Sequence, residues 1–551
     1  MNVSPKKPSS KQGMGSSSRS RMPPWTVLNF SGLILNLAIF SATVFTYQRI
    51  LGSTHATVPC EPNDHGPPLA LAVTVKQQSS TTARNMEDND KDKDDPLMVA
   101  PPASFDPDQE FHIIFSTGCS VKQNWQSYVL YHSIMESGQN GHATRIASGC
   151  TPDEVKAIRK IHTTQIEPMG RRSPTAQSSR FHLHLTPEYG LVKEPGRNDV
   201  RFHYLNKPYG VAHWMEEELG YSNNNPTIPE HDETIIMLLD PDMIFLRPFV
   251  NDFHQGPEIW RKRTSYPLRH KVSHGFPFSQ EYGYSTTWYH GLKDVTKVFP
   301  PSELPTPAKQ MTPAEIQENY STGPPYMATG RDFYKLVEKW RQLSIPVQRE
   351  FPDTILAEMY AQAWAAAHLK LPHQQAHSFM VSAHFEEGFH LFNDKTKYPS
   401  NQMCRGSNIP MSQKPHILHY CQRYAIGKYI LGKHRLPQDF VGSVDIAATC
   451  ASPLLAEPPT NISVVYDFFI DPDNKQRTTF NDGHAFTKQD YADRISFMLC
   501  EMIGGLNRAA TYFKEQHCAS VGAAPNLNKS LIFHNTLDMT PEELSGKKTN
   551  G

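Results

Sequence analysis

Thr234-Ile-Ile-Met-Leu-Leu239, followed at once by Asp240-Pro-Asp242, is the stretch that decides how this chain reads. The apolar run is too short for a helix of its own and has no polar alternation, which suits a central strand buried on both faces. The two aspartates then fall at its carboxyl end, where open α/β sheets place their ligand crevice. Two carboxylates one residue apart, on a turn stiffened by Pro241, suit one hard divalent cation through oxygen ligation. A cation held there can neutralise a diphosphate. Met243-Ile-Phe-Leu-Arg-Pro248 leads away as a short hydrophobic segment.

Working back toward the N-terminus, Phe111–Ser116 reads as a strand, and Val121, Trp125, Tyr128, Val129, His132 and Met135 recur at helical spacing. His142–Ala147 reads as a second strand and Asp153–Ile161 as a helix, with Thr151 at its N-cap and Pro152 in its first turn. A further helix is expected over Pro208–Leu219, just before the decisive strand. Strands alternating with helices predict an α/β domain with a mostly parallel central sheet.

Working forward, residues 250–330 are rich in Pro, His and aromatics, including Tyr282, Tyr284, Trp288 and Tyr289. They read either as an insertion with its own small core or as an acceptor-binding wall of stacking rings. Residues 352–371 have helical composition, with Ile355, Met359, Ala363 and Ala366 on one face. Glu358 there either satisfies nearby backbone groups or acts at a reacting sugar. In Pro415-His-Ile-Leu-His-Tyr420, His416 and His419 face opposite sides of an extended segment, so one at most reaches a shared site. Gly427-Lys428 follows shortly after.

The outer segments set topology. Residues 1–24 carry Lys6, Lys7, Lys11, Arg19 and Arg21 and no acid, and Trp25–Tyr47 is a run of uncharged residues long enough to cross a bilayer. The charge bias predicts a single-pass type II anchor with a cytosolic N-terminus; a cleaved signal peptide is the competing reading. Residues 48–108 are Pro-rich and polar, with the run Glu87–Asp95 of mixed charge, and read as a disordered lumenal stalk. Eight Cys agree with an oxidising lumen, and sequons occur at Asn319, Asn461 and Asn528. With 54 Lys+Arg against 55 Asp+Glu, the chain has no overall basic excess for gripping nucleic acid. The expected division is tail 1–24, anchor 25–47, stalk 48–108, catalytic domain 109–450 and a C-terminal appendage 451–551 with a helical segment.

Several spaced motifs occur together: Phe115–Gln126, Gly138–Cys150, Leu205–Trp214, Leu239–Phe245, Glu358-Met-Tyr360 and His419-Tyr420. The set resembles the plant and algal peptidyl serine α-galactosyltransferases and the related hydroxyproline O-arabinosyltransferases, nearer the former through Cys119, Cys150 and the Ala-Thr-Arg-Ile stretch. The resemblance implies a GT-A-like, Rossmann-type nucleotide-sugar domain in the Golgi or ER, using a UDP-sugar and a divalent metal such as Mn²⁺. By position it implies Asp240, Asp242 and His419 as metal ligands, Ser116 and Thr117 near the nucleotide, and Lys207 and Lys428 as phosphate-binding charges. It implies Glu358 as the group that positions or stabilises the charged sugar, and retention of anomeric configuration. The expected acceptor is Ser or hydroxyproline of a secreted protein. Two departures bear on the sugar and acceptor: Asp240-Pro-Asp242 is a hybrid of the two branches' motifs, and the segment after His419 matches neither closely. The other readings are an inactive glycan- or peptide-binding protein and a metal-dependent hydrolase.

Overall fold

The computed structural model describes residues 110–531, except 172–177, 193–199, 285, 353, 384–385, 387, 390–397, 405–408, 427–428, 434–435, 437–439, 444 and 466–487. The expected tail, anchor and stalk lie outside the described residues, and among the described residues no helix is long and apolar enough to cross a membrane.

The elements that build the site are, in chain order, β1 (Phe111–Thr117), α1 (Val121–Glu136), β2 (His142–Ser148), α2 (Pro152–Ile161), β3 (Phe181–Thr186), α3 (Asn206–Leu219), β4 (Ile235–Leu239) and β5 (Met243–Phe245). There follow β6 (Phe278–Glu281), α4 (Pro313–Tyr320), β7 (Thr322–Thr329), α5 (Gly330–Glu350), α6 (Ala357–His368), β8 (Gln374–Ala376), β9 (Met380–Val381), β10 (Ile417–His419), β11 (Arg423–Ile426), β12 (Tyr429–Gly432) and α7 (Lys488–His517). The expected α/β alternation is present. α2 begins with the expected cap: Thr151 and Glu154 form a reciprocal capping box, and Pro152 opens the helix.

Seven strands form one sheet in the order β8-β6-β7-β4-β1-β2-β3. β1, β2, β3 and β4 are mutually parallel, β7 runs antiparallel to both β4 and β6, and β8 is parallel to β6. All five residues of β4 are buried, as a strand covered on both faces requires. Successive residues of a strand point to opposite faces. Phe115 meets Tyr131 of α1 edge-on at 5.2 Å between ring centroids, whereas Ile146 and Ser148 lie against Gly210 of α3. The two helices thus cover opposite faces of the sheet.

Residues 250–330 do not form a separate insertion: β6 is a strand of the central sheet. Thr322–Thr329 is also a sheet strand in spite of Pro324 and Pro325. The register jumps there from Ser279↔Tyr326 to Gln280↔Gly323, so both prolines sit in a bulge where no ladder N–H is needed. Gly323 completes the bulge, since a Cβ would lie 2.0 Å from the Tyr282 ring.

A second, three-stranded sheet has the order β9-β10-β5, with His419 of β10 opposite Met243 of β5. A buried ion network stands beside it. Glu258 Oε1 accepts from Arg247 Nη2 at 2.9 Å and lies 3.1 Å from His416 Nε2, while His416 stacks on Phe249 at 4.1 Å. Disulfides join Cys119 to Cys150, Cys404 to Cys500 and Cys450 to Cys518, and Cys421 is disulfide-bonded as well. The Cys404–Cys500 and Cys450–Cys518 bridges tie the middle and the C-terminal end of α7 to the body, and Phe513 packs edge-on against Tyr128 of α1. Of the three sequons, Asn319 is fully buried with its amide donating to Ser265 Oγ and the Glu315 carbonyl, whereas Asn461 and Asn528 are exposed.

Candidate active site

The strand order reverses at β1: β2 and β3 lie on one side of it, and β4 lies on the other. At such a switch point the connections leave in opposite directions and open a crevice at the carboxyl ends of the strands. Phe115 of β1 is opposite Leu239 of β4, so Ser116-Thr117 and Asp240 emerge there side by side. The sequence placed Asp240 and Asp242 at this edge, and the structure does the same.

Four elements bring charge to it. Lys207, at the start of α3, puts Nζ 2.9 Å from Asp240 Oδ1 and 3.6 Å from Glu358 Oε1 in the first turn of α6. α6 is fixed in turn by Trp340 of α5, whose indole N–H donates to the Glu358 carbonyl at 2.8 Å. The antiparallel pairing of β10 with β5 carries His419 to Asp242, with Nε2 3.1 Å from Asp242 Oδ1 and 3.9 Å from Asp240 Oδ2. His416, three residues earlier, points instead to Glu258, as the opposed faces of an extended segment require. Lys433, which follows β12, places Nζ 2.6 Å from Asp242 Oδ2.

Burial sets the ionisation. It raises the Asp242 carboxyl, but Lys433 and His419 outweigh it and hold the group well below the usual carboxylate range. Burial likewise works against the Lys207 ammonium, yet Asp240 and Glu358 more than compensate and raise it. Glu358 is different. Burial pushes it up to about 7, Lys207 opposes that, and the Asp240 charge adds to it. Beside Asp240 the site therefore holds one carboxylate kept ionised, Asp242, two ammonium groups kept charged, Lys207 and Lys433, and one carboxyl, Glu358, that can carry a proton near neutrality.

Among the described residues, no three His, Cys, Asp or Glu side chains form a ready-made cation cage. Asp240 and Asp242 are instead satisfied by the two lysines. The donor set nevertheless fits a divalent metal. Two ligand atoms at right angles on a cation with bonds of about 2.1–2.2 Å lie about 3 Å apart. Asp242 Oδ1 and His419 Nε2, at a hydrogen-bond separation of 3.1 Å, are near enough that both would hold one such ion. Oxygen and imidazole donors also suit Mn²⁺.

Of the residues singled out in the sequence, Asp240, Asp242, His419, Lys207 and Glu358 come together. Ser116 and Thr117 reach the same edge, but the Thr117 hydroxyl is engaged by Arg145 Nε at 2.8 Å. Lys428 lies outside the described residues. Lys433 was missed. The only signal was a second Gly-Lys pair, Gly432-Lys433, five residues after the first. Nothing local ties it to an aspartate far back in the chain.

No protein-family model matches the chain. Part of it is similar to the peptidyl serine alpha-galactosyltransferase of Arabidopsis thaliana, 28% identical over 173 residues, which is 31% of this chain and 16% of that protein. The protein of the same name from Chlamydomonas reinhardtii is 26% identical over 146 residues, 26% of this chain and 15% of that one. The motif resemblance is thus recovered against two named proteins, of whose length the matched stretches cover only a small part. Among solved structures, the bifunctional glycosyltransferase WbbM aligns at a TM-score of 0.29 and 8% identity, over 59% of this chain and 47% of its own. The galactosyltransferase LgtC, in complex with donor and acceptor sugar analogues, aligns at 0.24 and 12% identity, over 56% and 87%.

Proposed function

We propose that this chain is a metal-dependent glycosyltransferase that moves a galactosyl or arabinosyl group from a UDP-sugar to the hydroxyl of Ser or hydroxyproline in a secreted protein. The observation that carries the reading is the convergence of Asp240, Asp242, His419, Lys207, Lys433 and Glu358 at the carboxyl edge of β4, beside the switch point of the sheet. The partial similarity to peptidyl serine alpha-galactosyltransferases supports the choice of reaction, and the disulfides support a secretory location. On this reading the protein sits in the Golgi or ER membrane as a type II protein through residues 25–47.

On this reading the residues take the following roles, which the geometry supports. The nucleotide lies over the end of β1, at Ser116 and Thr117. Asp240, Asp242 and His419 hold the cation, which when bound neutralises charge on the leaving diphosphate. Lys207 and Lys433 swing from the carboxylates to phosphate oxygens as that charge arrives, each acting as a point charge. Glu358, buried beside Asp240, faces the sugar and steadies positive charge that develops on it. Retention then follows if the acceptor hydroxyl attacks from the leaving-group side and passes its proton to the departing diphosphate.

The test is a panel of UDP-sugars against Ser- and hydroxyproline-containing peptides, with Mn²⁺ and product mass as the readout. One donor and acceptor pair should yield a peptide heavier by one sugar. A catalytically inactive binding protein predicts peptide or nucleotide binding without any mass change, and that result would overturn the proposal.

A further inference from the structure

Arg145 lies in the middle of β2, is 1% exposed, and has no acidic partner among the described residues. Burying a guanidinium without a counter-charge is costly, so its presence calls for a reason. Its hydrogen bonds converge on one short segment. Nε donates to Thr117 Oγ1 at 2.8 Å, and Nη2 donates to the Gly118 carbonyl and to Asn124 Oδ1, each at 3.0 Å. Nη1 is buried with no acceptor among the described residues. The titratable groups that face it are Tyr131 of α1 and His162, neither of which supplies a negative charge near neutral pH: burial raises the Tyr131 phenol and brings His162 down to about 4.

The segment it grips is the turn from β1 into α1, at the crevice where the strand order reverses. Ser120 caps α1 by accepting from the Gln123 N–H, and the helix N-terminus adds its own positive end to that of Arg145. Cys119–Cys150 fastens the same turn to the end of β2. Two independent devices therefore hold this turn still, and the turn follows directly on the carboxyl end of β1.

We propose that Arg145 is a positioning residue for the nucleotide half of the donor. It holds the Thr117-Gly118 turn as the wall on which a nucleoside diphosphate rests, and it supplies the positive field there that an arriving anion satisfies. The inference rests on the glycosyltransferase reading above. It assigns donor binding, not chemistry, to a residue outside the Asp-Pro-Asp cluster.

The test is the affinity of the purified full-length protein for UDP in the presence of Mn²⁺, measured by calorimetry beside thermal stability. Arg145→Met should weaken UDP binding about tenfold, the scale of one lost charge-assisted interaction. Arg145→Lys, which keeps the charge but not the fork, should recover only part of it. Thr117→Val, which removes one acceptor and leaves the guanidinium in place, guards against a misfolded Arg145 variant and should weaken binding by a few-fold. Lys514→Met is the control. Lys514 is equally buried and donates to the Cys450 and Ser452 carbonyls, so its loss should lower stability while UDP affinity stays within about twofold. If wild type binds UDP and the folded Arg145 and Thr117 variants bind it equally well, the inference is wrong although the functional reading stands. If wild type binds no UDP, the functional reading fails and takes the inference with it.

Discussion

On the proposed reading, Lys207 and Lys433 stand beside the carboxylates that would hold the cation and meet the diphosphate. In the structure each pairs with one aspartate. This gives Lys433 a definite phenotype. Lys433→Met should raise the KM for the nucleotide sugar about tenfold while kcat falls less, because a phosphate contact is lost from ground state and transition state alike. A fall in kcat with KM unchanged would place Lys433 at the chemistry instead. At this scale the sequence was informative wherever chemistry is local. Asp240 and Asp242 announce themselves by spacing and by the strand before them, whereas the spacing of His416 and His419 says only that one of them at most reaches the site, and the motif resemblance selects His419. Lys433 and Arg145 do not. Their partners are distant in the chain, and a lone Lys or Arg is ordinarily a surface residue.

His419 on β10 and Asp242 just before β5 are placed by the small sheet, and their mutual placement depends on the buried network beside it. Burial raises the Glu258 carboxyl, but His416 and Arg247 bring it down to about 2. Removing it leaves the Arg247 guanidinium buried and unpaired. Glu258→Ala should therefore cost about 3–5 kcal/mol in denaturant unfolding. A loss below about 1 kcal/mol would show that water or a neighbour replaces the carboxylate. The helices were legible from their spacing and caps, as α1 and α2 show, and β4 from its unbroken apolar run. β7 was not, because Pro324-Pro325 forbids a regular ladder, and only the pairing of β4 and β6 around the bulge shows how a central strand tolerates them. β5 and β10 are short and acquire meaning only by pairing across the length of the domain.

For the whole molecule, buried histidines set the response to acid. Burial brings His132, His162 and His416 down to about 4 and His373 to about 3. A group whose folded value is depressed stabilises the fold above its unfolded value, about 6.5, and that contribution is lost as pH falls toward the folded value. Glu358 and Glu386, both raised to about 7 by burial, act in the opposite sense, since they favour the folded state in acid. The histidines outnumber them, so Tm should fall by several degrees between about pH 7 and pH 5, and a flat or rising Tm would contradict the neutral burial of these rings. The order of the parallel strands around β1 places Ser116, Thr117 and Asp240 on one edge, which the sequence could suggest only through its alternation of strands and helices, and α3, α6, β10 and the residue after β12 bring the other charges to it. The central claim is that this edge is a metal-dependent donor site. The most direct measurement is Mn²⁺-dependent release of UDP from a UDP-sugar by the wild-type protein and by Asp242→Asn. Release by the wild type and a loss of at least about a hundredfold in the variant is the predicted result. Equal release by both, or none from any UDP-sugar by the wild type, would contradict it.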